Sequence, residues 1–160
     1  MLHITKRVDY ALITLAHLAL HPGQRFSARE LAEAYVLSRT LTANVLKLLA
    51  RSEIIRSLRG TKGGYELAVN PSQLPVGRVV ELLEGPLQLA ACIGEDADSM
   101  SCTVSPVCPV KHSVLKIQLK IRDVLYGQTI ADLARDSRPK KGLLPVAESC
   151  SVLTPKGEAS

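Results

Sequence analysis

The sequence has few aromatic residues and no tryptophan. Of its 160 residues, one is Phe and four are Tyr, whereas apolar residues make up 46% of the chain. A core of this composition is built from Leu, Val, Ile and Ala, which favours helices packed through aliphatic side chains. The apolar share excludes a globally disordered chain, and the length suits one compact domain with an appendage.

Long hydrophobic runs and a secretory signal are also missing. The run "YALITLAHLAL" at residues 10–20 is too short to cross a bilayer and contains His17. We therefore expect no membrane partner and a cytoplasmic location. In that reducing compartment, clustered cysteines are more often a metal or redox site than a disulfide.

Basic residues are concentrated in one half of the sequence. Residues 1–80 contain 11 Lys or Arg against 5 Asp or Glu, a net charge of +6, whereas residues 81–160 contain 9 against 10, a net charge of −1. A polyanion is therefore expected to bind the first half. A solvated basic surface is the alternative that charge alone leaves open.

Helix signals dominate the first fifty residues. Apolar residues recur at helical spacing over residues 5–21, and "HPG" ends that pattern. Ser27 and Glu30 form a capping-box signal for a short helix to about Ala34. Ser38 is the predicted N-cap of a third helix, "RTLTANVLKLLAR". The residues of the third helix predicted to face inward are Leu41, Val45, Leu48 and Leu49.

The period of the pattern changes after the third helix. Residues 53–69 alternate in polarity on either side of "GTKGG", which predicts a β-hairpin with a basic, glycine-rich tip. "PVGRVVELLEG" predicts a short amphipathic helix between Pro75 and Gly85. A long helix is predicted to start at Pro109, and "TIAD" at residues 129–132 caps a further short helix. The apolar seam of the long helix is formed by Val110, Val114, Ile117, Ile121 and Val124.

The pattern predicts a mainly α fold with a small β-hairpin wing, namely a winged helix-turn-helix followed by a long dimerisation helix. We assign residues 1–84 to the DNA-binding domain and 85–108 to a cysteine loop. Residues 109–136 form the dimerisation helix and a short C-terminal helix, and 137–160 a flexible tail. A homodimer on a double-stranded DNA operator is expected.

A helix fits the major groove, and the wing can place an arginine beside the minor groove. Between positions 39 and 62 there are six basic residues and one acidic residue. The candidate DNA-binding residues are Arg39, Thr40, Ala43, Asn44, Lys47, Arg59 and Lys62.

The thiols of the chain are clustered in one polar stretch. "CIGEDADSMSCTVSPVC" holds Cys92, Cys102 and Cys108, and the fourth cysteine, Cys150, lies in the tail and is expected to be incidental. Thiolates suit an iron–sulfur cluster. A structural zinc site completed by His112 and a metal-free thiol sensor or scaffold are the alternatives. An enzyme is disfavoured, because no nucleophile–base pair, paired carboxylates or P-loop spacing is present.

Four stretches carry a family resemblance. "ITKRVDYAL", "LRGTKGGYELA", "VGRVVELLEGPLQL" and "CTVSPVCPVKHSVL" resemble the Rrf-type family of bacterial transcription regulators over about residues 1–136. That family includes regulators of iron–sulfur assembly and of iron, and nitric-oxide-sensitive repressors. The Pro two residues before Cys108, and Thr5 with Asp9, are most similar to the nitric-oxide-sensitive branch.

The resemblance implies a repressor with an iron–sulfur cluster, 4Fe–4S rather than 2Fe–2S, that senses nitric oxide or iron–sulfur status. It implies Cys92, Cys102 and Cys108 as ligands, with Asp9 of the partner subunit as the fourth; His112 is the alternative ligand. The gap of nine residues between Cys92 and Cys102 is longer than is usual in the family, and the sequence departs from the iron–sulfur regulator branch at two positions. Lys111 stands where the iron–sulfur regulator branch has its ligand His, and Ala43 stands where that branch has Glu.

Overall fold

A computed structural model describes residues 4–60, 63–90 and 104–137. Several residues of the predicted sites lie outside these ranges. They are Lys62 of the predicted wing tip and Cys92 and Cys102 of the predicted cysteine loop; Cys150 of the predicted tail also lies outside the described ranges. The described residues include six α-helices and one two-stranded antiparallel sheet, which confirms the predicted mainly α fold with a hairpin wing.

The first helix, α1 (Lys6–Leu20), forms the centre of the core. It begins at Thr5, whose hydroxyl accepts a hydrogen bond from the Val8 amide at 3.4 Å. Its buried side chains are Val8, Ala11, Thr14, Leu15 and Leu18. Burial of three aliphatic side chains and Ala11 on one face anchors α1 against the helices described next.

The helix-turn-helix consists of α2 (Ala28–Ala34) and α3 (Arg39–Arg51). The predicted capping box is present: the Ser27 hydroxyl accepts from the Glu30 amide at 3.2 Å, and Glu30 accepts from the Ser27 amide at 2.7 Å. The hydrogen bond from the Ser27 amide, followed by the interaction of the carboxyl with the Ser27 side chain, lowers the pKa of the Glu30 carboxyl. Ser38 caps α3 through its hydroxyl, as predicted.

The buried face of α3 differs from the predicted one. Leu41 and Leu48 are only half-buried at the edge of the core, whereas Thr42 and Leu46 are fully buried with Val45 and Leu49. The reason is that α3 packs against both α1 and α2. These two neighbours determine which face of α3 is buried, and the periodicity of a single helix does not predict where they lie.

The predicted hairpin is formed by β1 (Ile55–Leu58) and β2 (Gly64–Leu67), paired antiparallel with Ser57 opposite Tyr65. Phe26, just before α2, extends the sheet by one bridge. Its amide donates to the Tyr65 carbonyl at 3.1 Å, and the Tyr65 amide donates to the Phe26 carbonyl at 2.8 Å. The wing is therefore joined to the helices through its second strand.

Helix α4 (Val76–Glu84) lies between Pro75 and Gly85, and α6 (Ile130–Asp136) packs on α1. Gly85 has a φ of 83°, which glycine adopts without strain. The Ile130 amide donates to the Leu74 carbonyl at 2.9 Å, and Ile130 is fully buried. The predicted cap of α6 is confirmed as a capping box of Thr129 and Asp132. Helix α6, the last described helix, is thus part of the same core as α1.

The long helix, α5 (Lys111–Gly127), begins two residues later than predicted. Pro109 and Val110 form a turn before it, and among the described side chains none caps its first turn. Near its other end, the Tyr126 ring lies against Gly77 of α4, and its hydroxyl donates to Glu81 at 2.5 Å. This hydrogen bond is the main reason that the pKa of Tyr126 is raised.

Candidate nucleic-acid interface and metal centre

The outer face of α3 carries the residues predicted to read DNA. Thr40, Asn44 and Lys47 are exposed, and Ala43 between them is half-buried. Their spacing of three and four residues places them on one side of the helix, opposite the buried residues. The side chains supply one hydroxyl, one amide and one ammonium group. Hydroxyl and amide groups can hydrogen-bond base edges in a major groove, and ammonium groups can bind bases or phosphate.

Arg39 at the start of α3 is held by an ion pair that the sequence did not reveal. Its guanidinium lies 2.8 Å from Glu33, which also binds Arg29 at 2.9 Å. Hydrogen bonds and charge from the two arginines lower the pKa of Glu33, with the Arg29 hydrogen bond as the largest cause. The arginine side chains are 73% and 67% exposed, so water screens these pairs and a DNA phosphate can compete for them.

Arg29 was missing from the candidate DNA-binding residues. It lies in the first turn of α2 and is highly exposed. The only sequence signal for its position was the four-residue spacing from Glu33, which is typical of a helical ion pair. Together with Arg39 it adds positive charge beside the outer face of α3.

The wing turn is tight, and two of its glycines are required. Arg59 is exposed directly after β1, and Gly60 follows with a φ of 113°. The Gly63 amide donates to the Gly60 carbonyl at 2.9 Å. A Cβ atom at Gly63 would lie 2.5 Å from the Leu58 carbonyl oxygen, which no side chain tolerates. This turn fixes Arg59 at the exposed end of the wing.

The base of the wing is fixed by charge and by close backbone contact. Arg25 and Glu66 form an ion pair of 3.1 Å between the segment before α2 and β2. A Cβ atom at Gly64 would lie 3.0 Å from the Phe26 backbone, so β2 approaches that segment more closely than most residues allow. The wing and α3 are therefore held on one body, as two-site reading of DNA requires.

Of the predicted cysteine ligands, Cys108 is the one that the structure describes. It is a half-buried free thiol that ends a 3-10 turn (Ser105–Val107), three residues before α5 begins. On the other side of the cysteine loop, the Leu89 amide donates to the Gln118 side chain of α5 at 3.0 Å. The flanks of the loop on both sides are thus attached to α5.

Asp9 and His112, the other predicted ligands, are both exposed. Asp9 lies in the first turn of α1, where its carboxylate also suits the positive end of the helix dipole. The Thr5 hydroxyl in the same turn donates to Glu84 at 2.7 Å, which links α1 to the last residue of α4. His112 lies in the first turn of α5.

The described residues do not by themselves make a metal centre. Within residues 4–60, 63–90 and 104–137, no group of three or more His, Cys, Asp or Glu side chains is close enough to hold a metal ion. Since Cys92 and Cys102 lie outside these ranges, the predicted ligand set stays a prediction. Its chemistry fits the group, because three thiols and one exposed carboxylate supply four donors.

The sequence matches known regulators over most of its length. A model of the Rrf2 family, described as iron-dependent transcriptional regulators, matches residues 4–136. The chain is 30% identical over 146 residues to the HTH-type transcriptional regulator NsrR of Bacillus subtilis, covering 91% of this chain and 99% of that protein. It is 29% identical to NsrR of Oceanobacillus iheyensis, covering 91% and 98%.

Solved structures of similar fold include two named regulators. CymR, the global cysteine regulator of B. subtilis, has a TM-score of 0.69 and 25% identity, covering 86% of this chain and 99% of that one. IscR of T. potens has a TM-score of 0.67 and 26% identity, covering 89% and 93%. Across the described parts of the chain, no helix is both long and apolar enough to cross a membrane.

Proposed function

Because the chain belongs to the Rrf2 family of transcriptional regulators, we propose that it is a dimeric repressor whose operator binding is controlled by an iron–sulfur cluster. The exposed polar face of α3, next to a wing that carries Arg59, is the observation on which the DNA-binding part depends. In this proposal the signal is nitric oxide or the iron–sulfur status of the cell. A DNA operator as partner also implies a cytoplasmic location in a bacterium.

Each DNA-binding residue has a proposed role. Thr40, Asn44 and Lys47 enter the major groove with Ala43 among them, and Arg39 binds the phosphate backbone after exchanging Glu33 for phosphate. Arg59 and Lys62 lie at the wing near the minor groove. The fixed spacing between α3 and the wing supports simultaneous contact of both with one half-site.

The second copy of the chain is proposed to cover α5. Apolar side chains on this helix are exposed, among them Ile117 and Val124 at 52% and 67%, and Val110 just before the helix is 55% exposed. A two-fold dimer buries such a seam against itself and brings two α3 helices to a palindromic operator. Residues 109–136 would thus set the distance between half-sites.

The proposed cluster ligands are Cys92, Cys102 and Cys108 of one subunit and Asp9 of its partner. When bound, a cluster with one oxygen ligand would supply an iron atom that is more open to nitric oxide than one with four thiolates. Both flanks of the cysteine loop are attached to α5, and Asp9 lies on α1. Ordering of the loop would therefore act on the dimer helix and on the helix that supports α3.

A regulator of the same family without an iron–sulfur cluster is the second candidate. The solved structure of similar fold that is called a global cysteine regulator favours it. In that case the thiols would sense redox state directly, or Cys92, Cys102, Cys108 and His112 would hold zinc. A metal-dependent enzyme is a weaker candidate, since the matched relatives are named as regulators.

The DNA-binding role is tested by footprinting genomic fragments selected by the purified protein. We expect a protected palindrome, and Asn44→Ala should weaken binding to it by about 1–3 kcal/mol. Lys120→Ala, at an exposed position of α5, is the control for Arg59→Ala described next, because it removes one positive charge away from the wing. Arg59→Ala should lower the slope of affinity against salt by about one unit, or relax sequence preference. Failure to select any fragment would overturn the DNA-binding role.

The metal is tested on protein purified without oxygen. We expect iron and acid-labile sulfide in near-equal amounts, lost in Cys102→Ala and Cys108→Ala and kept in Cys150→Ala. Asp9→Ala should retain a cluster with an altered spectrum or lower stability. Stoichiometric zinc without sulfide would instead establish the second candidate. If the spectra and reactivity of Asp9→Ala are the same as those of the wild type, Asp9 is not the fourth ligand. His112→Ala is then the next variant to measure.

A further inference from the structure

Four rings pack together where α1 ends, and none of them has a role in the proposed function. His17 and His21 lie on the last turn of α1 and at its end, Phe26 precedes α2, and Tyr35 ends α2. The ring centre of His17 is 4.4 Å from those of His21 and Phe26 and 5.5 Å from that of Tyr35. His21 is 5.4 Å from Phe26. We name these residues the four-ring cluster.

Within the described residues, the His17 ring has one hydrogen-bond partner. One ring nitrogen, Nδ1, lies 2.9 Å from the Tyr35 hydroxyl. The other, Nε2, is buried and has no hydrogen-bond partner among the described residues. Burial, and to a smaller extent the neighbouring His21, lower the pKa of His17. Protonation would place a charge and two N–H groups where the structure offers one partner.

The charged groups around the cluster do not compensate for a proton on His17. His21 brings no negative charge, and its Nδ1 donates to the His17 carbonyl at 2.8 Å. From β2, Glu66 lines a cavity shared with His21, but its carboxylate is paired with Arg25. Helix α6 closes the groove beside His17 with uncharged side chains. The residues at this groove are Leu133 of α6 and Ser137, which follows its last residue.

Phe26 connects the four-ring cluster to the wing. Its ring packs edge-on against His17, and its backbone makes the two hydrogen bonds of the bridge to Tyr65 on β2. The Phe26 backbone is also the surface that Gly64 approaches closely. A shift of the His17 ring therefore acts on the residue that holds the base of the wing.

We propose that the four-ring cluster is a proton-sensitive latch for the wing. By this we mean that protonation of His17 displaces Phe26 and weakens the attachment of β2. The consequence for DNA rests on the proposed function: operator binding should weaken in acid through loss of wing contacts. Loosening of the wing itself does not depend on DNA.

The pH window follows from the sign of the shift at His17. The ordinary pKa of histidine here is 6.5, and folding lowers it. The unfolded or unlatched ring therefore binds a proton first. The latch is fully stable above pH 6.5. It loses stability as the pH falls from 6.5 through the lower pKa that His17 has in the folded cluster.

The experiment is amide hydrogen exchange of the full chain by NMR at pH 7.5 and 5.5, corrected for intrinsic exchange. The amides of Phe26 and Tyr65 should lose about tenfold protection per pH unit between the two pKa values, relative to the Leu49 amide in α3. His17→Phe keeps a ring that does not titrate and should abolish this loss. His3→Phe, which removes a histidine that precedes α1 in the sequence, should behave as wild type.

A titration of the wild-type protein supplies a second readout that needs no variant. The His17 ring signals and the chemical shifts of the Phe26 and Tyr65 amides should share one titration midpoint, at a pH below 6.5. Unchanged or increased protection in acid, parallel loss in wild type and His17→Phe, or separate midpoints would overturn the latch. Because neither readout contains DNA, a failed latch leaves the DNA-binding role intact. A protein that shows the latch but selects no DNA would overturn only that role.

Discussion

Helices α1 and α5 are similar in length, 15 and 17 residues, and both show apolar residues at helical spacing, yet their surroundings differ. Helix α1 has five buried residues, with Ala11 and Leu15 fully enclosed. In the described chain, α5 has none, and Ile117 is 52% exposed. Periodicity therefore predicts a helix and its apolar face, but it does not predict whether the same chain covers that face.

This difference in burial divides the described residues into a compact body, which contains α1, and a less buried helix, α5, attached to it. The body, in which α3 and the wing are fixed, has a continuous aliphatic core. Helix α5 is attached to it at Gly77 and Glu81 through Tyr126, and to Leu89 through Gln118. An apolar helix attached in this way is suited to transmit a change in the cysteine loop or in a second subunit to the body.

The largest expected effect contrasts one leucine from each helix. Leu15→Ala should lower the free energy of unfolding by about 2–5 kcal/mol, because it leaves a cavity in a closed core. Leu119→Ala, at a position that is 46% exposed, should cost less than about 0.5 kcal/mol. Urea unfolding at one fixed protein concentration measures both. Equal losses would mean that the two helices are equally buried in solution.

The next effect concerns the proposed dimer. Ile117→Asp should weaken association more than about 100-fold, because it places a charge in the proposed seam, and should leave the helical content unchanged. Lys116→Asp, at the preceding exposed position, is the matched control. Sedimentation equilibrium at micromolar concentration measures the association. Dimers of undiminished affinity in Ile117→Asp would exclude this face of α5 from the interface.

The attachment between the two regions is tested at Gly77. A Cβ atom there overlaps the Tyr126 ring, so Gly77→Ala should cost about 1–3 kcal/mol despite the better helix propensity of alanine. Gly127→Ala, where nothing lies within 4 Å of the added atom, should cost little. Thermal unfolding of both variants gives the comparison. A stabilised Gly77→Ala would show that Tyr126 does not hold α5 on α4.

The body also contains a strained residue in the turn between α2 and α3. Val36 has a φ of 53° and is 94% exposed, so its branched side chain adds strain without packing. Val36→Gly should raise the free energy of unfolding by about 1 kcal/mol. The change in melting temperature measures this gain, and a loss of stability would point to a contact of Val36 in the dimer or within the turn.

The smallest effect distinguishes two buried threonines. The Thr14 hydroxyl can donate to the carbonyls of Tyr10 and Ala11 at 2.8 and 3.0 Å, whereas the Thr42 hydroxyl has no partner among the described residues. Thr14→Val should cost about 1 kcal/mol, and Thr42→Val should be neutral or slightly stabilising. Denaturant unfolding separates the two. A larger loss in Thr42→Val would indicate a buried water or a partner from the second subunit.

The parts of the fold that could be predicted from the sequence are those determined locally. Caps at Ser27, Ser38 and Thr129 predicted three helix starts, because each depends on residues within four positions. The glycines at 60 and 63 predicted the wing turn for the same reason. Local signals did not give the start of α5, since Pro109 suits a turn as well as a first helical position.

Features that depend on packing between distant segments could not be predicted. The ion pair of Arg39 with Glu33, the burial of Thr42 and the four-ring cluster around His17 each need the relative placement of two or more elements. Of the candidate DNA-binding residues of α3, Ala43 is half-buried and the others are exposed. Their contacts with DNA remain a prediction. The predicted cluster ligands involve residues outside the described ranges and a proposed second subunit.

The central claim is that the cysteine region controls what the helix-turn-helix body does on DNA. It is tested most directly by footprinting the protein on its selected operator without oxygen, before and after stoichiometric nitric oxide, beside Cys108→Ala. We expect wild type to protect a palindrome and to lose that protection with nitric oxide while its helical content is retained. Cys108→Ala should not respond to nitric oxide. Protection that stays the same in wild-type protein containing iron and sulfide would contradict the account.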